Sequence, residues 1–485
     1  MDFSDLVSKK KAWLVIACGI FLRILLWTLI PVTTDAGDHY SKSRFIAENY
    51  RIPVFEYVSG NDPNWYPPVF HLLTAFLYKI TGILTLTPLL AGCISLIAFY
   101  VFCRRFYPDL SSNSLILLAF LPFHAYMSGV GYVEILLFLF GVLGFYFYKT
   151  YLSKSDFKYF SYLVFFSALS ALTHYHGLLL SLIVFTDLFF RRRKTAIAGF
   201  VIVLMLASPF YLRNYMIFGN PAWPLFFEGN FPHGKTSDYS SSSIANVFNP
   251  ATFTAPFFDF WIGAPNSGED VIDNIRVGRS VFPLVFEAGL LLWLPLTILW
   301  TILAFRGFYV FFERKDYLPL LALFYSLVML LFVAMARMMV FSVPFMVLAF
   351  SQGLSGAGRM NVRVLLVVSI VIFTGSTLAY AFTYHQIMAI HIPFYEMMGA
   401  ELPDGARIVM PYTLQQCIYY TGKVCVRDRN FPGGIPQELI YRDVFELRRY
   451  NITHFCCDSL YWDAKPQKLK DACNNMPCLL YTSDA

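Results

Sequence analysis

Long apolar segments constrain the fold of this chain more than any other feature of its sequence. An α-helix needs about 20 apolar residues to cross a bilayer. About eleven segments approach or reach that length, at 12–31, 84–102, 114–129, 133–148, 159–175, 178–190, 196–211, 281–304, 317–335, 338–354 and 364–383. Charged residues make up only 14% of the 485 residues, against about a quarter in soluble domains. We therefore predict an α-helical polytopic membrane protein with about 11 transmembrane helices, embedded in the lipid bilayer of the plasma membrane.

The basic residues indicate how the chain is oriented. Lysines occupy positions 9–11, just before the first apolar segment, and further basic clusters lie at 104–105, 149–158, 191–194, 306–315 and 359–363. Cytoplasmic loops are enriched in lysine and arginine, so we predict a cytoplasmic N-terminus, and an odd number of spans then places the C-terminus outside. Because these clusters lie between apolar segments, the net charge of +6 does not indicate a nucleic-acid partner. No cleavage-site pattern follows the first segment, so we expect it to be retained as a span.

Three regions are then expected on the extracytoplasmic side: loops 32–83 and 212–280 of a membrane domain at 1–383, and a tail at 384–485. In the tail, strand-like segments (ARIVMP, KVCVRD, ITHFCCD, CLLYTS) alternate with helix-like ones (TLQQCIYYTG, PQELIYRDVFELRRYN, KPQKLKDACNN). This alternation predicts a small C-terminal α/β domain. Six of the nine cysteines lie in the tail, and we expect at least one disulfide there, with the pairing left open. Zinc binding is the alternative, although no paired CxxC spacing supports it.

An acidic cluster opens the first outside loop, in the segment TTDAGDHYSKSRFIAENYRIPVFEY. If the chain is helical from Asp35 onward, then Asp35, Asp38 and His39 share one face, because residues three and four apart are neighbours on a helix. Two carboxylates and an imidazole could hold a divalent metal such as Mg²⁺ or Mn²⁺, or supply a general base. The alternative is a helix cap, with Thr34 or Asp35 as the N-cap and Asp38 in the first turn.

The segment WYPPVFHLLTAFLYKITG follows in the same loop. Its double proline predicts the start of a helix, which is apolar and aromatic but too short to span comfortably. We expect this helix to lie along the outer membrane surface.

Further polar residues lie at the outer ends of predicted spans. Arg213 and Arg337 are on the side where basic residues are rare, so each either extends its charge to the interface or binds a phosphate group. His174 and His176 flank a tyrosine in THYHG. They are either ordinary residues of the membrane interface or part of a functional site. Glu134 lies just inside an apolar segment, where an acid is costly and usually functional. The alternative interpretation is that Glu134 is a surface carboxylate in the short loop SGVGYVE.

In order and sidedness, these motifs resemble those of the GT-C superfamily of membrane glycosyltransferases. DAGDHY…IAENYRIP is similar to the acidic first-loop motif of that superfamily, and the spacing from Asp35 to His39 resembles the D-x-x-x-H form of oligosaccharyltransferase catalytic subunits. WYPPVFHLL, LTHYHGLLL, LRNYMIFGNPAWP and LPDGARIVMP…YYTGK resemble successive segments of the protein mannosyltransferase and aminoarabinose transferase branch. The chain departs from the pattern in three places. Asp38 and His39 stand near the position of the "DE" pair, His174 replaces a lysine, and the WWD signature is absent.

The resemblance implies transfer of a sugar, with inversion, from a polyprenyl-phosphate-linked donor to a protein, lipid or glycan acceptor on the extracytoplasmic face. The residues that it implies are Asp35, Asp38 and Glu134 for catalysis, Arg337, His174 and Arg213 for the donor phosphate, and His39, His176 and Tyr66 in support. Asp35 and Glu134 would share a Mg²⁺ or Mn²⁺ ion, if the enzyme uses one. The alternative is a transporter or flippase of a lipid-linked or anionic substrate, which we expect to carry charges near the bilayer centre and two matched halves.

Overall fold

The computed structural model describes residues 3–32, 34–53, 66–221, 283–332, 336–355, 359–409, 414–426 and 453–455. The α-helices of these residues are α1 (Phe3–Leu29), α2 (Thr34–Asn49), α3 (Val69–Thr81), α4 (Leu86–Phe106), α5 (Ser111–Phe120), α6 (Pro122–Val130), α7 (Glu134–Lys154), α8 (Phe157–Ala171), α9 (Leu178–Arg191), α10 (Arg193–Phe218), α11 (Pro283–Glu313), α12 (Tyr317–Phe332), α13 (Val343–Leu354), α14 (Arg359–Glu401) and α15 (Leu414–Thr421). The strands are β1 (Arg407–Val409), β2 (Val424–Val426) and β3 (His454–Phe455).

Long apolar helices dominate the described residues, which confirms the predicted class of α-helical polytopic membrane protein. Six of these helices are long and apolar enough to cross a membrane, or seven if α5 and α6 count as one span that is bent by 49°. The bend divides the predicted span 114–129, because Pro122 has no backbone N–H to continue the helix. Helix α14 runs to Glu401, past the predicted end of the last span at 383. The total of 11 spans and the orientation stay predictions.

The first of two compact units comprises, so far as described, Met1–Ile30, Pro88–Phe210 and Ser242–Thr383. Its helices approach closely where glycines replace larger side chains. A Cβ atom on Gly307 of α11 would lie 1.8 Å from the carbonyl oxygen of Ala349 in α13, and one on Gly353 would lie 2.1 Å from that of Leu303. Small residues at such crossings let helix backbones come into direct contact, as is typical of membrane proteins.

The second unit comprises, so far as described, Pro31–Thr87, Tyr211–Ser241 and Tyr384–Ala485. Its strands form a parallel sheet in the order β2-β1-β3. The strands predicted in ARIVMP, KVCVRD and ITHFCCD and the helix predicted in TLQQCIYYTG are therefore present, while the other predicted elements of the tail lie outside the described residues. A disulfide joins Cys417 to Cys425, as we expected for this cysteine-rich tail. The boundary of a separate tail domain at 384 stays a prediction.

Helix α15 packs against α2 within this second unit. The ring of Tyr419 lies 6.0 Å from that of Tyr40, and the guanidinium of Arg44 lies over it at 5.6 Å. The hydroxyl of Tyr420 donates to the carbonyl oxygen of Val32 at 3.2 Å, two residues before α2 begins. The tail thus holds the start of the acidic first-loop helix in place.

Candidate functional site

A carboxylate and a guanidinium meet inside the first unit. Glu134 is the first residue of α7 and is only 2% exposed, at a helix N-terminus whose dipole favours a negative charge. Arg337 comes from a 3₁₀ turn, Ala336–Met339, and its Nε lies 3.8 Å from Glu134 Oε1. The guanidinium also lies over the ring of Tyr132, at 5.7 Å from its centroid. The predicted acid and the predicted phosphate-binding arginine are therefore neighbours.

Two histidines complete this cluster from the turn between α8 and α9. His174 is extended and His176 belongs to the 3₁₀ turn Tyr175–Gly177, so their rings lie with centroids 4.2 Å apart. Burial, and next the charge of Arg337, lowers the pKa of His176 to about 3. Both ring nitrogens of His176 are buried and have no hydrogen-bond partner among the described residues. His176 is therefore a neutral imidazole at neutral pH, which is the form that binds metals.

The two histidines and the glutamate place three potential metal ligands close together. One ligand atom from each of Glu134, His174 and His176 lies within 4.8 Å of the other two. The predicted partner of Glu134 was Asp35, which belongs to the other unit, so that shared metal site stays a prediction. The position of Glu134 in the sequence did not predict that the two histidines would lie beside it.

Close packing of Gly177 fixes the position of the histidine turn. A Cβ atom on this residue would lie 1.9 Å from the carbonyl oxygen of Ser170, near the end of α8. Ser170 also holds the turn directly, because its hydroxyl donates to the carbonyl oxygen of Gly177 at 3.0 Å. The turn that carries both histidines is therefore in direct backbone contact with α8 and is tied to it by a hydrogen bond.

We expect Gly177→Ala to destabilise the protein by about 1–3 kcal/mol, the usual cost of overpacking, because the methyl group must displace backbone. The matched control is Gly375→Ala in α14, where a Cβ atom would meet nothing within 4 Å. There the change should be neutral or stabilising, by about 0.5–1 kcal/mol. Thermal unfolding of both variants in detergent tests this. Equal midpoints for the two variants would contradict the steric role of Gly177.

A second polar cluster lies in the second unit, on α2 and α3. Lys42 makes an ion pair with Asp38 at 2.5 Å, and its ammonium group lies 4.7 Å from the centroid of the Tyr66 ring. The ring of His39 packs edge-on against Tyr66 at 4.5 Å, and its Nδ1 lies 3.0 Å from Nε2 of His71. The predicted residues Asp38, His39 and Tyr66 are thus brought together, with a lysine that neutralises the carboxylate.

Two further predicted residues, Asp35 and Arg213, lie on α2 and α10. Asp35 belongs to α2, which confirms the predicted helix, but its side chain lies outside the described residues, so the cap and the base both stay predictions. Arg213 lies near the end of α10 and donates to the carbonyl oxygen of Pro53 and to Oδ1 of Asn214, each at 3.0 Å. Its phosphate-binding role stays a prediction.

Several residues that shape these clusters were not predicted from the sequence. Lys42 could have been found, since it lies four residues after Asp38 and such pairs attract on a helix. His71 lies in the predicted α3 and carried no signal of its own. Tyr132 precedes Glu134 by two residues and looks like an ordinary aromatic residue of the span end.

Acid should destabilise the fold through His71. Burial, and next Lys42, lowers the pKa of this fully buried histidine to about 3, whereas an unfolded histidine has a pKa of about 6.5. Between these values the unfolded state binds a proton that the folded state excludes. The free energy of unfolding should therefore fall as the pH falls from about 6.5 toward 3, by up to about 1.4 kcal/mol per pH unit for this one group.

Unfolding midpoints measured from pH 7 to pH 4 test this in native protein, in His71→Gln and in the control His385→Gln, which changes an exposed histidine. His71→Gln should flatten the pH dependence and His385→Gln should leave it unchanged. Identical slopes in all three proteins would contradict the prediction.

Comparison with solved structures identifies the fold. The chain is similar to ArnT from Cupriavidus metallidurans, with a TM-score of 0.61 for the apo state and 0.59 for the structure bound to undecaprenyl phosphate. Each match has 13% sequence identity and covers 91% of this chain and 89% of ArnT. The apo oligosaccharyltransferase from Archaeoglobus fulgidus matches with a TM-score of 0.53 at 13% identity, over 86% of this chain and 64% of that protein. No protein-family model matches the sequence, and no curated protein does.

Proposed function

We propose that this chain, which has the fold of the GT-C glycosyltransferases, transfers a sugar from a polyprenyl-phosphate-linked donor to a protein, lipid or glycan acceptor on the extracytoplasmic face of the membrane. The observation that carries the proposal is the cluster of Glu134, His174, His176 and Arg337. In this cluster, Arg337 supplies a positive charge for a phosphate group, and the glutamate and the histidines orient the arginine. ArnT, which shares this fold, has been crystallised with undecaprenyl phosphate, and this supports a polyprenyl phosphate as the lipid part of the donor.

Arg337 is suited to the donor phosphate. Its planar guanidinium can donate two parallel hydrogen bonds to phosphate oxygens. Its side chain keeps 16% of its surface exposed, whereas that of Glu134 keeps 2%, so a ligand can reach the arginine. The pair between them, at 3.8 Å, is longer than an ordinary hydrogen bond of about 2.7–3.2 Å. A phosphate at hydrogen-bond distance would therefore bind the guanidinium more tightly than the carboxylate does.

The reaction would be a single displacement. An acceptor oxygen forms a bond to the anomeric carbon of the sugar while the bond from that carbon to the phosphate oxygen breaks. The proton of the acceptor passes to a carboxylate, a role that we assign to Asp35 at the start of α2. The bonding electrons leave with the polyprenyl phosphate, whose added negative charge Arg337 and His174 stabilise. One displacement inverts the configuration at the anomeric carbon.

The residues beside Glu134 also fit a divalent cation. Their ligand atoms are close enough to be drawn to bonds of about 2.0–2.2 Å by small side-chain movements, and His176 offers a buried neutral imidazole with no hydrogen bond to break. Two imidazoles and one carboxylate favour Mn²⁺ or Zn²⁺ over Mg²⁺, which prefers oxygen ligands. Such a cation, when bound, would polarise a phosphate oxygen of the donor.

We expect the metal-free protein to bind Mn²⁺ at one site, measured by electron paramagnetic resonance after chelation with EDTA. His176→Phe should weaken this binding by at least about tenfold, since loss of an outer-shell partner alone costs about 10–100-fold. His385→Phe is the control, because this histidine is exposed on α14. Unchanged Mn²⁺ affinity in His176→Phe would remove the metal from the proposal without affecting the role of Arg337.

Sugar transfer in reconstituted membranes tests the proposed function. The protein is supplied with a mixed pool of polyprenyl-phosphate sugars and with protein, lipid and glycan acceptors. We expect free polyprenyl phosphate to accumulate together with an acceptor-linked sugar of inverted configuration, and Glu134→Gln to slow both at an equal amount of folded protein. Movement of the intact donor across the bilayer, with no release of polyprenyl phosphate, would contradict the proposal and indicate a flippase.

A further inference from the structure

Arg23 is a charged residue inside the first apolar helix, where charge is costly. Its side chain is completely buried in the first unit. Its NH1 group donates to the carbonyl oxygens of Gly19 and Ala119, at 2.7 and 2.8 Å, and NH2 donates to that of Leu118 at 3.2 Å. Within the described part of the chain, no carboxylate forms an ion pair with Arg23. Three backbone carbonyl oxygens therefore surround this cation.

The carbonyls of Leu118 and Ala119 need these donors because α5 ends at this point. In a continuous helix the oxygen of Leu118 would accept from the backbone N–H of residue 122, but that residue is Pro122, which has none. Leu121 leaves the helical conformation, with ψ at 120°, so the oxygen of Ala119 also loses its helical donor. The negative end of the α5 dipole faces the same way. Arg23 thus caps the broken end of α5 with both hydrogen bonds and charge.

Arg23 also contacts α6, on the other side of the break. Its NH2 group lies 2.6 Å from Nδ1 of His124, and Nε2 of that ring lies 2.8 Å from Oγ of Ser95. A guanidinium can only donate, so Nδ1 accepts and the proton of the neutral imidazole resides on Nε2. The ring of His124 packs edge-on against Phe138 of α7, with centroids 4.6 Å apart. One side chain from α1 therefore joins α5 and α6, and through His124 it reaches α7.

Helix α6 leads directly to the candidate site. It runs about 9 Å from His124 to its last residue, at 1.5 Å per residue. Gly131 then turns the chain in a left-handed conformation, with φ at 85°. The next residues are Tyr132, which lies under the guanidinium of Arg337, and, after Val133, Glu134. A rotation of α6 about its broken end would move both contacts of Arg337.

We propose that Arg23 is a positioning residue: by capping α5 and docking on His124, it holds α6 at the angle that places Tyr132 and Glu134 against Arg337. This inference rests on the proposed function. The packing of α1 on α6 supports it, since a Cβ atom on Gly129 would lie 3.3 Å from the backbone of Leu26, three residues after Arg23. The two helices are therefore in contact both at the cap and close to the site.

The test is a double-mutant cycle in the reconstituted transfer assay, with Arg23→Met, Glu134→Gln and the protein that carries both. Arg23→Met should lower kcat by about tenfold or more while the donor KM changes by less than about threefold, because the segment that carries Arg337 is separate from α6. If Arg23 acts through Glu134, the double variant should be no slower than Glu134→Gln alone, since coupled residues are not additive. A merely structural arginine would give independent, multiplying losses.

Three further variants test whether Arg23 positions α6. Arg23→Lys should restore part of the lost kcat, since an ammonium group can still donate to carbonyls. Arg105→Met removes an exposed arginine and should leave kcat unchanged. His124→Leu keeps the cap but removes the contact to α6, and should lower kcat even if Arg23→Met fails to fold. A native kcat in Arg23→Met or in His124→Leu would overturn the inference. A native kcat in Glu134→Gln would instead overturn the proposed role of Glu134.

Discussion

Replacing Arg337 with methionine should reduce kcat/KM for sugar transfer by about 10²–10³-fold, the usual effect of losing one preorganised group that stabilises developing charge. In the proposed mechanism, the departing phosphate gains negative charge as the sugar leaves, and the guanidinium of Arg337 stabilises this charge. Its side chain has little contact with water, so water cannot replace the lost interaction. Steady-state kinetics with purified donor measures the effect.

Two companion variants separate charge from stability. Arg337→Lys keeps the positive charge but loses the planar pair of donors, so its kcat/KM should fall between those of native protein and Arg337→Met. Removing the arginine alone also leaves the buried carboxylate of Glu134 without its ion pair, which can destabilise a protein strongly. Arg337→Met combined with Glu134→Gln removes that charge. If the doubly changed protein is folded and as active as native protein, Arg337 does not bind the donor phosphate.

Replacing Asp35 with asparagine should reduce kcat by about 10²–10⁴-fold, the usual contribution of a positioned general base. Asparagine cannot accept the acceptor's proton, but it caps a helix about as well as aspartate does. The substitution therefore separates the two interpretations of this residue. A catalytic base predicts loss of transfer in a stable protein, and a helix cap predicts a stable protein with native kcat.

Asp38→Asn is the matched control, since it changes the neighbouring carboxylate of the same helix. Asp38 is bound to Lys42 at 2.5 Å, and an ammonium group at that distance makes a carboxylate a poorer base. We therefore expect a much smaller loss of kcat in Asp38→Asn than in Asp35→Asn. Equal losses in the two variants would mean that the acidic helix acts as a unit, and they would contradict the assignment of Asp35 as the base.

Local sequence patterns predicted helices α2 and α3 within the first loop, and for identifiable reasons. The successive prolines at 67 and 68 lack the backbone N–H of a helix interior and favour a helix start. Helix α3 accordingly begins at Val69, and Gly82 ends it in a left-handed conformation, with φ at 72°. Such signals act over a few residues and need no tertiary contact to take effect. In the tail, the sequence pattern also located strands β1, β2 and β3 and helix α15, and the cysteine content indicated a disulfide.

No local sequence signal predicted which side chains on different helices would contact each other. The sequence marks Glu134, His174 and Arg337 as polar residues at span ends, but any of them could have faced lipid or a neighbouring loop. The predicted pairing of Glu134 with Asp35 stays a prediction. The structure places beside Glu134 two histidines from some forty residues later in the chain, which the sequence did not predict. Arg23 belongs to no recognisable motif. Its hydrogen-bond partners are carbonyl oxygens about 100 residues later in the chain, which the helix break at Pro122 leaves without backbone donors.

The sequence by itself determined that this protein is a bundle of membrane helices and which polar residues lie at the ends of those helices. Composition, apolar length and turn residues suffice for that, since each acts locally on the chain. Only the tertiary structure decided that Glu134, His174, His176 and Arg337 form one cluster, and that Arg23 supports the helix leading to it. The rotation of each helix about its axis is set by side-chain packing between distant segments, and this packing decides which side chains meet.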